Sequence, residues 1–545
     1  MVRYACAFLI GPEMNTLSGI NISTRQVAVA DEVTPWWERS WFMTFCLVLM
    51  AAPLVWPDIP GLTDLPGHLG RYKIAIHLQH SEYLRRFYGF EWTLVPNLGV
   101  DLLVVPLSWI IKIELAVKLI VLLIPPLTLL GFLWVAREAH GRIPSTYLFA
   151  APLIFGYPYQ YGFLNFTLSV ALAFLALGLW LCLGRSGHTG LRALLFLPLS
   201  LAVWLTQAFG WGMLGLLAFA FEITRQLDLN RAFPRAFVFA VCRCLPLVAP
   251  FALTLVWQSA NAEAATGDWF NFTWKFSAVI TSLRDRWILL DTGSILLLLF
   301  VIYLGARDRK LHYSRGLAFG AILLLLAILL LPRVLLGGAH VDSRLVPYFL
   351  AVALLGIRPS LAGSSRFANV LALAGLAFFI VRIGSNTVSL LLYDRTYNAE
   401  LRVLDHIPRG ARLAAFVGAN CHPKWATSRL EHLPGIAIVR KDAFSNDQWT
   451  IGGSHLLQVK SPWTRFVDPS QFVTAEPCNK ENWQTIEDAL RRLPQENFDY
   501  VWLVDPPPYD PVLTGSWRVI WRQGASALFE LHGAGAARTA DLRAP

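Results

Sequence analysis

Asp58, Asp64, His68 and Arg71 fall within one run, Pro57-Asp58-Ile59-Pro60-Gly61-Leu62-Thr63-Asp64-Leu65-Pro66-Gly67-His68-Leu69-Gly70-Arg71-Tyr72, directly after the first long apolar block. Asp64 and His68 are four positions apart and share a face if the segment is helical, with Arg71 three further along the same stripe. A carboxylate beside an imidazole can take the proton from an acceptor hydroxyl, the task of a general base. Asp64 also stands two residues before Pro66, where a carboxylate can cap the helix that follows by accepting from its free N–H groups. Base and cap are both open readings. Taken singly, His68 reads as an interfacial polar residue and Asp58 as a solvated loop carboxylate.

The elements that must hold these residues are membrane spans. The 545 residues are 55% hydrophobic and only 15% charged, with a mean hydropathy of +0.49. Soluble proteins carry about a quarter charged residues, so an ordinary cytosolic enzyme is excluded. Disorder needs the opposite bias. Apolar blocks at 41–56, 114–136, 145–160, 163–183, 193–209, 211–224, 236–257, 288–305, 316–334, 345–357 and 367–390 predict a polytopic α-helical membrane protein of about eleven transmembrane helices. The formal charge of +10 would suggest nucleic acid in a soluble chain. Here the cations sit in short loops between apolar blocks, which is orientation signalling, and no nucleic acid is expected as partner.

Those loops fix a sidedness. With the N-terminus cytoplasmic, 137–144, 184–192, 225–235, 306–315 and 358–366 lie inside, and each carries at least two arginines or lysines. The first loop (57–113), the loops 258–287 and 335–344, and everything after 391 are then extracytoplasmic, on the outer side of the cell inner membrane. The stretch 97–111 contains Asp101 and Pro106 and is too short to cross, so it predicts an interfacial helix. The first outer loop then holds two helical pieces. Tyr4–Ile10 is too short a run for a signal peptide, and 1–40 reads as a cytoplasmic tail. The membrane part is expected over 41–390.

Residues 391–545 predict a soluble α/β domain, with strands at Leu413–Val417, Ile436–Val439, Tyr500–Val504, Trp517–Trp521 and Leu528–Leu531, and a helix over Trp483–Leu493. Cys421 and Cys478 are either bonded, closing a loop worth about 4 kcal/mol on the chain-entropy account, or two thiols. The tail holds no glycine-rich nucleotide loop, so a nucleotide sugar is not expected there. The seven cysteines show no CxxC pair and no His/Cys ligand spacing, so no cofactor is expected and a divalent metal has no support.

An N-in first crossing followed by a long outer loop, with an acidic residue near its start and juxtamembrane helices, resembles the GT-C glycosyltransferase superfamily. The resemblance covers the layout of 41–390. At residue level it rests on Asp64, and more loosely on Asp342-Ser343-Arg344-Leu345-Val346-Pro347, which is similar to the Arg-Tyr-x-x-Pro type segment late in such domains. The chain departs from the usual adjacent acidic pair, because Leu65 follows Asp64. The resemblance implies transfer of a sugar from a polyprenyl-phosphate carrier, held among membrane lipids, to an extracytoplasmic acceptor. Asp64 would be the base, with His68 and Arg71 its neighbours.

A departing lipid phosphate gains negative charge, so such a site needs fixed cations near the outer interface. Arg333, Arg344 and Arg382 are the candidates, with Lys275, Arg284 and Arg286 in the loop 258–287. Arg382 falls inside a predicted span, where a cation faces a cavity or a partner. No carboxylate partner for it or for Arg243 is apparent within a span, and Arg344 is expected either at the phosphate or paired with Asp342. Gln207 and Tyr161, with Tyr157, Tyr159 and Asn165 near by, could meet a sugar or the isoprenoid, or belong to the interfacial belt. Two rival classes remain: a transporter or flippase of a lipid-linked intermediate, which needs paired mid-membrane charges and related halves, and a non-catalytic assembly protein that binds through its tail.

Overall fold

Long apolar sequence blocks become helices because, in lipid, backbone polar groups must be satisfied within the segment. The computed structural model describes residues 34–260, 266–335, 338–359, 365–422, 424–450, 456–478 and 483–531, so most of the predicted N-terminal tail (1–33) lies outside them. Five single helices are long and apolar enough to cross a membrane: Ile113–His140, Leu164–Arg185, Thr189–Thr206, Ile288–Arg307 and Arg366–His406. Phe233–Val248 and Pro250–Trp257 bend by 64° at their junction and make a sixth if read as one span. Ser40–Val55, Gly99–Ser108, Arg315–Leu330 and Ser343–Leu355 are apolar but shorter. Eleven predicted blocks thus yield five or six helices of crossing length among the described residues.

The block 145–160 departs furthest from its expectation. It breaks into a helix at Tyr147–Ala150, a tighter 3-10 turn at Ala151–Phe155 and a second short helix at Tyr157–Tyr161. Pro152, Gly156 and Pro158 are the cause, since proline removes a donor and clashes with the preceding turn. Such backbone is tolerated at depth only when enclosed by protein, and residues 143–156 are buried. Gly156 lets the break close, because a Cβ there would stand 2.9 Å from Pro347.

The first outer loop holds three helices, Leu65–His77, Glu82–Phe87 and Gly99–Ser108, one more than expected. Beyond 406 the chain forms a mixed sheet around Arg412–Gly418, a continuous apolar strand of the kind parallel sheets bury. Tyr500–Val504, Phe472–Thr474 and Phe444–Ser445 pair with it in parallel, and the hairpin Arg518–Gln523/Ser526–Glu530 extends the sheet antiparallel. Cys421 and Cys478 are bonded, with Cα atoms 5.6 Å apart.

Two expectations in this region need correction. Ile436–Val439, read as a strand, belongs to the helix Gly435–Lys441. A short apolar run buried on every side has no period to reveal its type. The helix of Trp483–Leu493 shrinks to Ile486–Arg491, with Thr485 capping it at the Asp488 N–H.

The helix Gly435–Lys441 docks the sheet onto Leu65–His77 through a glycine seam. A Cβ on Gly435 would meet the Pro66 carbonyl at 2.8 Å, and one on Gly70 would meet the Gly435 carbonyl at 3.1 Å. Gly435→Ala is therefore expected to destabilise the fold by about 1–3 kcal/mol, the usual cost of overpacking, read as a lower thermal midpoint. Gly190→Ala, where nothing lies within 4 Å of the added carbon, is the control that should leave it unchanged.

Candidate active site

Asp64 takes the N-cap position of Leu65–His77, yet its side chain caps nothing. Among the described residues no hydrogen bond or ion pair reaches its carboxylate, which is nevertheless only 8% exposed. The backbone around it is held firmly. Its N–H donates to the Tyr161 carbonyl at 2.9 Å, and the Thr63 N–H donates to that of Gln160 at 3.3 Å. The close approach needs Gly162, whose φ is +95° and whose Cβ would crowd the Asp64 nitrogen at 3.0 Å. On the other side, Arg429 Nη1 donates to the Gly61 carbonyl at 2.7 Å. The turn is fixed while the acid group is left open.

Burial pushes the Asp64 carboxyl well above the usual carboxylate range. The negative charges of Asp468 and Glu431 act in the same direction, and the Arg344 guanidinium opposes them. Arg344 is the cation of this site. It lies over Phe163 at 3.8 Å and donates through Nη2 to the Ala339 carbonyl at 2.8 Å. Burial lowers it to about 10, with Tyr157, Asp64 and Tyr161 opposing that fall, so it stays charged at neutral pH. Asp342 is not its partner; that carboxylate binds Lys275 at 2.7 Å.

Aromatic rings wall the site. Tyr161 stands 5.2 Å from Tyr157, 5.0 Å from Phe163 and 6.1 Å from His340, and Trp274 stands 5.1 Å from His340. From the sheet side, Trp449 bridges His68 (5.1 Å) and His432 (4.2 Å). His432 Nε2 is 3.4 Å from Asp468, while its Nδ1 is 3.0 Å from the Asp447 carbonyl. Burial lowers the His432 pKa against the pull of Asp468. The tail thus brings acidic and aromatic groups to a loop hundreds of residues earlier.

The remaining predicted residues are engaged elsewhere. Arg71 pairs with buried Asp101 at 2.8 Å, which also accepts from Asn165 at 3.1 Å, tying Leu65–His77 to Gly99–Ser108. Arg382 does have a carboxylate partner inside a span: Asp291 of Ile288–Arg307, at 2.7 Å. Two buried cations at two buried acids offset the cost of burying each alone. Arg333 pairs with Asp268 at 3.1 Å and lies over Trp274. The Asp58 N–H donates to the Asp394 carboxylate at 3.0 Å. Gln207 caps Ala208–Asp228 by accepting from the Phe209 N–H at 2.7 Å.

Sequence reading missed the polar network beside the site. Asp285 pairs with Arg429 at 2.7 Å and accepts from Ser389 at 2.7 Å. Arg429 also reaches Gln160 at 2.8 Å, and Trp425 donates to Asp291 at 2.8 Å. One signal was present: Arg382, Asn386 and Ser389 recur at helical spacing in an otherwise apolar helix and so share a face. Nothing local marked Arg429.

Among the described residues no group of three or more His, Cys, Asp or Glu side chains is placed to hold a metal ion. No protein-family profile matches the chain, and no curated protein matches it. Among solved structures it is similar to ArnT from Cupriavidus metallidurans bound to undecaprenyl phosphate, at 12% identity, over 91% of this chain and 98% of that one, with a TM-score of 0.47. It is similar also to ArnT from Cupriavidus metallidurans in the apo state, at 11% identity, over 93% and 98% of the two chains, with a TM-score of 0.48.

Proposed function

We propose that this multi-pass membrane protein is a glycosyltransferase of the GT-C kind, moving a sugar from a polyprenyl-phosphate carrier to an extracytoplasmic acceptor at the cell inner membrane. One observation carries the reading. Asp64 is a buried carboxylate on a fixed turn that, among the described residues, neither caps its helix nor joins an ion pair, with Arg344 its opposing charge. Structural carboxylates in such surroundings are paired, so an unpaired one is a candidate base.

Asp64 takes the proton from the acceptor hydroxyl as that oxygen attacks the anomeric carbon. The bond from that carbon to the phosphate oxygen breaks, its electron pair stays on the phosphate, and the sugar inverts. Arg344 offsets the charge gained by the leaving group. Tyr157, Tyr161 and Phe163 offer faces to the sugar or the isoprenoid, and His68 stands beside Trp449. Arg71 and Arg382, held by buried acids, position helices rather than phosphate.

A base must be ionised, so transfer should rise with pH through the Asp64 pKa and level off above it. Because that value is raised, the half-maximal point lies above the ordinary carboxylate range. A profile of transfer rate against pH that is already flat at pH 4 would remove Asp64 as base. Sidedness is tested separately at Asp58, which is exposed: in Asp58→Cys cells, an impermeant thiol reagent should label from outside.

A flippase needs paired mid-membrane charges; Arg382–Asp291 is a buried pair, but Asp291 stands in the first turn of Ile288–Arg307 and accepts from Trp425 of the tail. Proteoliposomes loaded with radiolabelled sugar on polyprenyl phosphate separate the two. Label leaving the carrier in an Asp64-dependent way supports transfer. Intact carrier crossing the bilayer with its sugar attached establishes the flippase.

A further inference from the structure

A second cleft, away from Asp64, lies where the long helix Ser365–Glu400 ends against the sheet. It encloses about 460 Å³, and Arg395, Thr396, Glu400, Leu430, Asp505 and Ser526 are among the residues that line it. Arg412–Gly418 and Tyr500–Val504 run parallel, and Asp505 follows directly on the carboxyl end of the second. That edge is where open α/β sheets take ligands. The two strand ends pinch together here, since a Cβ on Gly418 would fall 1.9 Å from the Asp505 carbonyl.

Asp505 holds a left-handed backbone, φ +42°, a conformation that a non-glycine residue keeps only where its surroundings fix it. Its N–H donates to Ser526 Oγ at 2.9 Å, and that hydroxyl donates to Glu400 Oε1 at 2.9 Å. Glu400 is 7% exposed, and its second oxygen, Oε2, is buried with no hydrogen-bond partner among the described residues. An unsatisfied buried acceptor is costly, and Glu400 lines the cleft, so a small turn of its carboxylate brings Oε2 to a donor held there.

We propose that this cleft binds a carbohydrate unit whose ring hydroxyls donate to Glu400, Asp505 and Thr396, whose own proton goes to the Leu392 carbonyl, and accept from Arg395. The volume falls in the range of small-ligand pockets, about 300–1,000 Å³, and a bare cation would leave most of it unfilled. Two carboxylates and one guanidinium lining the same cleft call for a ligand rich in both donors and acceptors, which is what a sugar ring is. Leu430 supplies an apolar surface for the C–H face of the ring. The cleft stands apart from the transferase reading, although one segment serves both places: Leu430 lines it, while Arg429 holds Gly61 and Glu431 acts on Asp64.

The test uses the full-length protein in lipid nanodiscs, with methyl glucoside, methyl galactoside, methyl mannoside and N-acetylglucosamine as probes in saturation-transfer NMR and calorimetry. At least one should bind saturably, and equally well to Asp64→Asn. Glu400→Gln should weaken it about tenfold or more, the loss of one charge-assisted hydrogen bond. Ala525→Trp, on the exposed lip, should block the cleft without touching the Glu400–Ser526 bond. Failure of all four probes to bind, survival of binding in both cleft variants, or its loss in Asp64→Asn overturns the proposal.

Discussion

Asp64→Asn is expected to lower sugar transfer by about 10²- to 10⁴-fold, the usual contribution of a general base, while the protein folds normally. The two halves of that expectation have separate causes. Asparagine keeps the size of the side chain but cannot take a proton, so the acceptor oxygen must attack as the neutral hydroxyl. The fold is spared because no hydrogen bond or ion pair among the described residues depends on this carboxylate; the turn is held by backbone groups and by Arg429.

Stability should move the other way. A carboxyl whose folded pKa is raised binds more protons folded than unfolded between the two values, so stability falls as pH rises through that window. Above the folded pKa the full cost of ionising a buried acid is in place, below it a part, and Asn removes either. Thermal unfolding at pH 7 should therefore show Asp64→Asn at or above the wild-type midpoint. A marked drop would mean that Asp64 is a structural residue after all, and retained transfer would take it out of the chemistry.

Arg429→Met is expected to cost about 3–5 kcal/mol, the penalty for stranding a buried charge by removing its partner. Arg429 is 2% exposed. It pairs with Asp285, donates to Gln160 and to the Gly61 carbonyl, and lies over Tyr393 at 4.4 Å. Methionine fills some of the volume and satisfies none of these groups. The loss should reach the site too, since Gly61 anchors the turn that carries Asp64. Thermal midpoints in nanodiscs measure the first effect. The double variant Asp285→Asn/Arg429→Met should recover much of the stability, because no orphan charge remains, yet not the transfer rate, because Gly61 still lacks its donor. A double variant no more stable than the single would show that the pair is not what holds the loop.

Asp64 itself was legible, because a carboxylate directly after an apolar block lies near the membrane surface whatever the rest of the chain does. Its freedom was not. Sequence position alone could not say whether the side chain would turn back to cap its own helix, and the answer came from backbone contacts to Gln160 and Tyr161. Arg344 was found as one cation among several, and only geometry separated it from Arg71, Arg333 and Arg382, each of which has a carboxylate partner. The run Ile436–Val439 was read with the wrong period because it is buried on all sides.

By itself the sequence determined the broad layers: that the chain is mostly apolar helix, and that an α/β region follows. These depend on composition summed over neighbouring residues, and hydrophobic transfer is additive along a chain. Only the tertiary structure decided which charges are satisfied. Ion pairs such as Arg429–Asp285 join residues 144 positions apart, and the free energy of a buried charge depends on what stands within a few ångströms of it, which no local pattern records.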